Sequence, residues 1–119
     1  MIIKRKMTAA LAVACLWKPG VAAETVAGEI EMLIQAVAVS ACEFERNGDR
    51  HNSVAAANHL RMKYRRGKAY ASSAEKFIDA LASKSSFTGR QYLMLCPGKD
   101  EQSANAWLHA ILTAHRQNS

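Results

Sequence analysis

The stretch ACEFERNGDRH, residues 41–51, decides the fold of this chain. Its first half alternates charged residues with Cys42 and Phe44, and this period of two is typical of a half-buried β-strand. Asn47 and Gly48 follow, and both residue types tolerate the positive φ values that a two-residue turn requires. The pattern predicts a short strand that ends at a tight turn.

A second short run, QYLMLC at residues 91–96, has the composition of another strand. It is bounded by Thr88-Gly89 on one side and by Pro97-Gly98 on the other, and such dipeptides mark turns. Pairing of this run with the strand at 41–46 would bring Cys42 beside Cys96. The sequence therefore predicts a small two-stranded β element.

Four segments carry apolar residues at steps of three and four, which is the spacing of an amphipathic helix. We expect helices over about 25–39, from Asn52 or Ser53 to Gly67, from a capping box of Ser72 and Glu75 through Ala82, and after an N-cap at Ser103. The predicted fold class is a single small domain, mainly α, with about four helices and a two-stranded β element stapled by a disulfide.

The first 23 residues have the layout of a secretory signal peptide. Lys4-Arg5-Lys6 precedes an apolar run over residues 7–17, and small residues lead up to Ala23. The apolar run is shorter than the roughly 20 residues that span a bilayer. We expect cleavage between Ala23 and Glu24, a mature domain over 24–119, and a periplasmic product, with secretion as the alternative.

Removal of that segment changes the charge on which a function would be argued. The whole chain has 16 basic and 10 acidic residues, a net charge of +6. Four basic residues and no acidic residue lie in the signal segment, so the mature domain carries only +2. The basic isoelectric point therefore gives no support to a nucleic-acid partner.

Export also favours a disulfide between the two cysteines of the mature domain. Cys42 and Cys96 lie 54 positions apart, and a pair of cysteines in an oxidising compartment indicates one bridge. The loop-entropy model gives such a bridge about 4 kcal/mol of stabilisation. The alternative, two buried free thiols, fits a reducing compartment better.

Several runs together resemble the YfeK-like family of small exported bacterial proteins, a domain of unknown function. The similarity is carried by RNGDRH (46–51), ANHLRMK (57–63), the long segment 73–99 and WLHAIL (107–112). Gln91 departs from the proline that is frequent at that position, which loosens the turn without abolishing it. The resemblance implies a periplasmic protein and supplies no reaction.

Polar residues from the predicted turns and the second helix form a candidate binding surface. If the two strands are antiparallel, the Asn47-Gly48 turn and Thr88-Gly89 lie at the same end, near His51. The candidate residues are Arg46, Asn47, Gly48, His51, His59, Arg61, Lys63, Ser86, Thr88, Gly89 and Tyr92. A structural interpretation also stands, in which the turn residues serve only the backbone and the arginines are solvated.

The spacing of the histidines does not match a metal site, and no cofactor is predicted. His59 has Ala55 and Lys63 at the positions one helical turn away, so the helix lacks a paired ligand. No G-x-S-x-G elbow surrounds the serines, although His51 or His59 could still meet Ser86 in space. A small periplasmic hydrolase using these residues remains the alternative function.

The favoured hypothesis is a non-catalytic binding protein of the bacterial envelope, in one form an inhibitor or accessory of an envelope enzyme. It rests on the small size, the single staple and the polar rim. The expected partner is an envelope protein or a small ligand, with no nucleic acid and no stable membrane insertion after cleavage. The sequence specifies neither the partner nor the oligomeric state.

Overall fold

A computed structural model describes residues 24–119, in which four helices pack on a small sheet. The predicted signal segment and its cleavage site after Ala23 lie outside the described residues. The helices are α1 (Val26–Val39), α2 (Ser53–Arg66), α3 (Ala74–Phe77) and α4 (Ala104–Gln117). The strands are β1 (Glu43–Arg46), β2 (Asp49–His51), β3 (Leu93–Leu95) and β4 (Gln102–Ser103).

The sheet has four antiparallel strands in the order β2-β1-β3-β4, so the prediction of a two-stranded element was wrong. The chain turns back at Asn47 (φ 52°) and Gly48 (φ 86°), and Arg46 pairs with Asp49. The returning strand, β2, is short and polar, so it lacks the apolar alternation that would have marked it. A two-residue strand, β4, is too short to show any period.

The predicted pairing of the two cysteine-bearing runs is confirmed. Glu43 of β1 lies opposite Leu95 of β3, and the adjacent Cys42 and Cys96 form a disulfide. The bridge joins positions 54 residues apart and fastens the start of β1 to the end of β3.

The helices begin at side-chain caps and bury one face each. Thr25, Asn52 and Ser103 accept a hydrogen bond from a backbone amide three residues further on, as N-caps do. The N-cap of α3 is Ser73, whose hydroxyl accepts a hydrogen bond from the Lys76 amide. The prediction of Ser72 as this cap was off by one position. The buried faces supply a core whose largest aliphatic members are Ile30, Leu33, Ile34, Leu60, Ile78 and Leu108.

The third helix does not end where its α-helical bonding ends. A wider π-helical turn, Ile78–Ala82, continues it, and the Ser83 hydroxyl donates to the Ile78 carbonyl. Turns of this kind are rare and occur often beside functional sites. Here the turn places Leu81 against Gly67 at the end of α2.

None of the helices in residues 24–119 is long and apolar enough to cross a membrane.

Candidate functional site

A pocket of about 330 Å³ opens between α2 and the connection from the π-helical turn to β3. Its lining residues are Arg46, Asn47, His59, Met62, Lys63, Arg66, Gly67, Tyr70, Leu81, Ser85, Ser86, Phe87 and Tyr92. The volume lies at the small end of the range of roughly 300–1,000 Å³ that is usual for small-molecule sites. We call this cavity the α2 pocket.

One wall of the α2 pocket is the loop at residues 84–91, which is closed by its own backbone bonds. Lys84 and Gln91 form an isolated bridge, and the Ser85 amide donates to the Arg90 carbonyl at 2.9 Å. The Ser85 hydroxyl accepts from the Phe87 amide at 3.2 Å, which tightens the turn from within. Hydrogen bonds within the loop therefore fix much of its shape.

The Asn47 side chain connects this loop to the turn between β1 and β2. Its amide nitrogen donates to the Ser85 hydroxyl at 3.3 Å, and its oxygen accepts from the Thr88 hydroxyl at 2.6 Å. Asn47 adopts a positive φ of 52°, and in this conformation its side chain reaches both residues of the loop. The two turns are thus one continuous rim, as the antiparallel arrangement of the strands predicts.

The floor of the α2 pocket is a buried polar chain of three residues. Lys63 is 9% exposed, and its Nζ donates to the Lys84 carbonyl and to the Tyr92 hydroxyl, both at 3.0 Å. The same hydroxyl lies 3.3 Å from Nε2 of His59. Since the Tyr92 oxygen accepts from an ammonium, its proton is free to be donated to a neutral His59.

The aromatic ring of Tyr92 ties this chain to the core. The residue is 1% exposed, and its ring packs against Phe44 of β1 with 5.0 Å between centroids. Only the hydroxyl end is polar, and it meets Lys63 and His59 on the face of α2. Packing thereby fixes the geometry of the polar chain.

Burial shifts the pKa values of all three groups away from their charged forms, and positive neighbours add to this shift at His59 and Lys63. Burial, then Arg46 and Lys63, lowers the pKa of His59 from 6.5 to about 4. Burial and Arg46 lower the pKa of Lys63, and burial raises the pKa of Tyr92. His59 is therefore neutral at pH 7.

The α2 pocket combines positive charge with apolar walls. Arg46, Lys63 and Arg66 are its cationic lining residues, and no acidic side chain is among the lining residues within 24–119. Met62, Leu81, Tyr70 and Phe87 supply carbon surface, and Phe87 is 99% exposed. Such a cavity suits a ligand that has both an anionic and an apolar part.

The structure brings most of the predicted surface residues together, but not all of them. The residues that line the α2 pocket are Arg46, Asn47, His59, Lys63, Ser86 and Tyr92. Thr88 and Gly89 lie in the loop, and Gly48 completes the turn. The other two, His51 and Arg61, are not among the lining residues.

Each of these two residues has a structural reason for its place. His51 lies in β2 opposite Phe44, on the side of β1 that faces away from β3. The expected approach of His51 to the loop depended on a chain that leaves the sheet after Asn47, whereas the chain returns as an edge strand. Arg61 forms an ion pair with Glu31 of α1.

Other lining residues were missed from the sequence, and helical spacing could have found two of them. Met62 and Arg66 follow His59 at steps of three and four, so all three share one side of α2. Tyr70 and Phe87 come from an irregular connection and a loop, where no period applies. Ser85 was not among the predicted site residues, although its hydroxyl accepts hydrogen bonds from two amides of the turn.

No group of three or more His, Cys, Asp or Glu side chains is arranged to hold a metal ion in the part of the chain that the structure describes.

Comparison with known proteins places the chain in a family whose function is unknown. The model of a family of unknown function, DUF5329, matches residues 24–116. The uncharacterized protein YfeK of Salmonella typhimurium is 49% identical over 49 residues, which cover 41% of each chain. The matched part is thus well under half the length of that curated relative. No solved structure matches this chain.

Proposed function

Because the chain belongs to DUF5329, a family with no assigned function, we propose its function from the α2 pocket: a non-catalytic binding protein of the bacterial envelope. The pocket takes a small ligand. The observation that carries the proposal is the buried chain of Lys63, Tyr92 and His59 at the floor of an open, otherwise largely apolar cavity.

A buried ammonium without a paired carboxylate is an unusual feature in so small a domain. Burial of the charge costs free energy, and the hydrogen bonds from Lys63 to its two neutral acceptors offset that cost. Buried groups with shifted pKa values cluster at functional sites. The rigid rim formed by Asn47 and the loop at 84–91 supports the same interpretation, because a preformed site loses little entropy on binding.

Binding is favoured over hydrolysis by the state of the candidate catalytic groups. A histidine whose pKa lies near 4 is a weak general base at neutral pH. Its Nε2 lies 3.3 Å from the Tyr92 hydroxyl, and within residues 24–119 no hydrogen bond joins it to Ser86, the candidate nucleophile. The imidazole is therefore held by Tyr92 and does not activate this serine.

Export to the envelope is part of the same proposal. A disulfide between Cys42 and Cys96 persists in oxidising compartments and is rare in the bacterial cytoplasm. The basic and apolar pattern of residues 1–23 is that of a signal peptide, and its removal after Ala23 would leave the domain at 24–119.

The test compares two adjacent arginines at the end of α2. Arg66 lines the α2 pocket and Arg65 does not, while both are exposed. The full chain and its Arg66→Gln and Arg65→Gln variants would be expressed in a bacterial host, recovered from the envelope fraction and mixed with the small-molecule extract of that fraction. Native mass spectrometry would then measure the mass of each folded protein together with any bound ligand.

We expect an added mass on the wild type and on Arg65→Gln, and its loss from Arg66→Gln. No added mass on any folded protein would contradict the binding function. An added mass that all three proteins keep would place binding elsewhere and contradict the assignment of the α2 pocket. Recovery of the protein from the cytoplasm only would contradict export.

Hydrolysis remains a second candidate because His59 and Ser86 line the same cavity. A panel of p-nitrophenyl esters tests it directly, with His59→Gln and Ser86→Ala as the variants. Turnover by the wild type that both variants lose would establish the hydrolase and overturn the binding proposal. We expect no turnover above the rate of an equal concentration of the Ser86→Ala protein.

A further inference from the structure

Resting on the proposed binding function, we infer that the ligand of the α2 pocket is a small organic acid, a carboxylate that carries an apolar group. The inference deepens the assignment of the pocket by naming the chemistry of its occupant. It stands on three observations: the charges, the carbon surface and the size of the cavity.

The charges of the lining residues are of one sign. Arg46 comes from the end of β1, and Lys63 and Arg66 come from the last turns of α2. Within residues 24–119 none of these three cations forms a salt bridge, whereas Arg50, Arg61 and Arg116 each pair with carboxylates. The cavity therefore carries positive charge that no carboxylate among the described residues neutralises.

The Lys63 ammonium has one donor left for a ligand. An ammonium carries three N–H groups, and the Lys84 carbonyl and the Tyr92 hydroxyl take two of them. Both acceptors are neutral, so the charge remains uncompensated in a partly desolvated place. A bound anion would supply the missing counter-charge, and it would interact strongly because the surroundings are apolar.

The carbon surface explains why the anion should carry an apolar group. Met62, Leu81 and Tyr70 line the cavity, and Phe87 stands at its mouth with 99% of its surface exposed. A simple inorganic ion would leave all of this surface in water. An aromatic or aliphatic substituent would cover it and gain about 25 cal/mol for each Å² removed from water.

Size and hydration favour a single carboxylate over a phosphate. A cavity of about 330 Å³ admits a small molecule. The planar guanidinium of Arg66 or Arg46 can bind a carboxylate with two parallel hydrogen bonds. A dianion would lose more hydration beside the apolar walls than a monoanion does.

A calorimetric titration with three probes at pH 7 and constant ionic strength separates the two parts of the ligand. The probes are phenylacetate, its neutral isostere phenylacetamide, and acetate, which has the charge without the ring. Loss of one charge-assisted hydrogen bond lowers affinity by at least about tenfold. We expect phenylacetate to bind at least about tenfold more tightly than either of the other two probes.

Variants of the full chain locate the carboxylate. Arg66→Gln should weaken the binding of phenylacetate by about tenfold or more, and Arg65→Gln should leave it unchanged. Lys63→Met should abolish detectable binding while its near-ultraviolet circular dichroism stays that of the wild type. If Lys63→Met fails to fold, Arg66→Gln alone decides the matter, since that residue is exposed.

The possible failures point to different conclusions. Equal affinity for phenylacetate and phenylacetamide would contradict the proposal that the ligand is an anion, while the proposal of a binding pocket would stand. Equal affinity for phenylacetate and acetate would contradict the proposal that the ligand carries an apolar group. If none of the probes binds and the envelope extract still adds a mass that Arg66→Gln removes, the ligand class is wrong and the proposed function stands. If no probe binds and the envelope extract adds no mass either, both the ligand class and the proposed function are wrong.

Discussion

At the scale of single residues, Lys63 shows how a buried charge can be tolerated without a counter-ion. Its stem lies along the buried side of α2, in the turn after Leu60, and its ammonium ends between the Lys84 carbonyl and the Tyr92 hydroxyl. Hydrogen bonds to a charged donor contribute about 1.5–3 kcal/mol, and burial of the charge costs a similar amount. The residue is therefore nearly neutral for stability, which fits a role in binding.

We expect Lys63→Met to change the free energy of unfolding by no more than about 1 kcal/mol, because the lost hydrogen bonds and the lost desolvation cost offset each other. Urea denaturation followed by far-ultraviolet circular dichroism measures this. Leu60→Ala, at a fully buried position of the same helix, is the control and should lose about 2–5 kcal/mol. A loss of 3 kcal/mol or more from Lys63→Met (about the size of a broken buried network) would show that the ammonium is structural.

A second prediction at this scale concerns His59 and pH. Folding lowers its pKa from 6.5 to about 4, so the unfolded chain takes up this proton at a higher pH than the native state does. Stability is therefore undiminished above about pH 6.5 and declines as the pH falls toward 4. We expect His59→Gln to flatten the dependence of the urea midpoint on pH in this window.

The control for His59 is Glu75, which acts in a more acidic window. Hydrogen bonds from Arg116 lower the pKa of Glu75 from 4.5 to about 2, so its contribution is present above pH 4.5 and is lost as the pH falls toward 2. Glu75→Gln should change the profile only below about pH 4.5. Identical profiles for the wild type and His59→Gln between pH 6.5 and 4 would contradict the account of His59.

At the scale of elements, the turn between β1 and β2 carries two separate demands. Asn47 must hold a positive φ, and its side chain must reach both Ser85 and Thr88 of the facing loop. Glycine satisfies the first demand only, and alanine satisfies neither. The two substitutions therefore separate backbone strain from the bonds that unite the rim.

We expect Asn47→Gly to lose about 1–2 kcal/mol of unfolding free energy, because two side-chain hydrogen bonds disappear. Asn47→Ala should lose about 1 kcal/mol more, since a left-handed backbone strains a residue with a Cβ. Thermal unfolding of both variants beside the wild type measures the difference. Equal stability of the two variants would show that strain at this position is negligible.

The elements also show which features the sequence predicts and which it conceals. The four helices were predicted because each buries a stripe of several apolar residues, and the cysteine-bearing strands were predicted because they alternate between turns. The strands β2 and β4 have two or three residues and partly exposed sides, so they carry no pattern. The π-helical turn depends on tertiary packing around Leu81, which no local period reports.

The candidate site follows the same division. Arg46, Asn47, Ser86 and Tyr92 were predicted to share a surface because the strand pairing could be inferred, and His59 and Lys63 were added from the second helix. Phe87 and Tyr70 were missed because their positions depend on the paths of irregular segments. The hairpin at Asn47-Gly48 placed His51 in an edge strand, and the prediction assumed an exit from the sheet.

At the scale of the whole molecule, ion pairs and a disulfide join parts of the domain that are distant in sequence. Arg116 of α4 bonds with Glu29 of α1 and with Glu75 of α3, which fastens the last helix to the earlier ones. The disulfide joins Cys42 to Cys96 across the sheet. The Arg116 and Glu75 side chains are well exposed, which weakens their ion pair, so we expect the disulfide to be the stronger tie.

We expect the double substitution Cys42→Ser with Cys96→Ser to lower the free energy of unfolding by about 4 kcal/mol, because the unfolded chain regains the entropy of a 54-residue loop. Urea denaturation of the oxidised wild type and of the variant measures the loss. Reductant should bring the wild type to the midpoint of the variant and leave the variant unchanged. Equal midpoints for the oxidised wild type and the variant would contradict a stabilising bridge.

The most direct test of the central claim is to locate the bound ligand on the molecule. Two-dimensional ¹H–¹⁵N spectra of the full chain would be recorded with increasing phenylacetate. We predict that the shifted amides cluster at 46–48, 59–67 and 84–92, the segments that surround the α2 pocket. Shifts confined to α4 or β2, or an unchanged spectrum from the folded protein, would contradict the claim that this pocket binds a small organic acid.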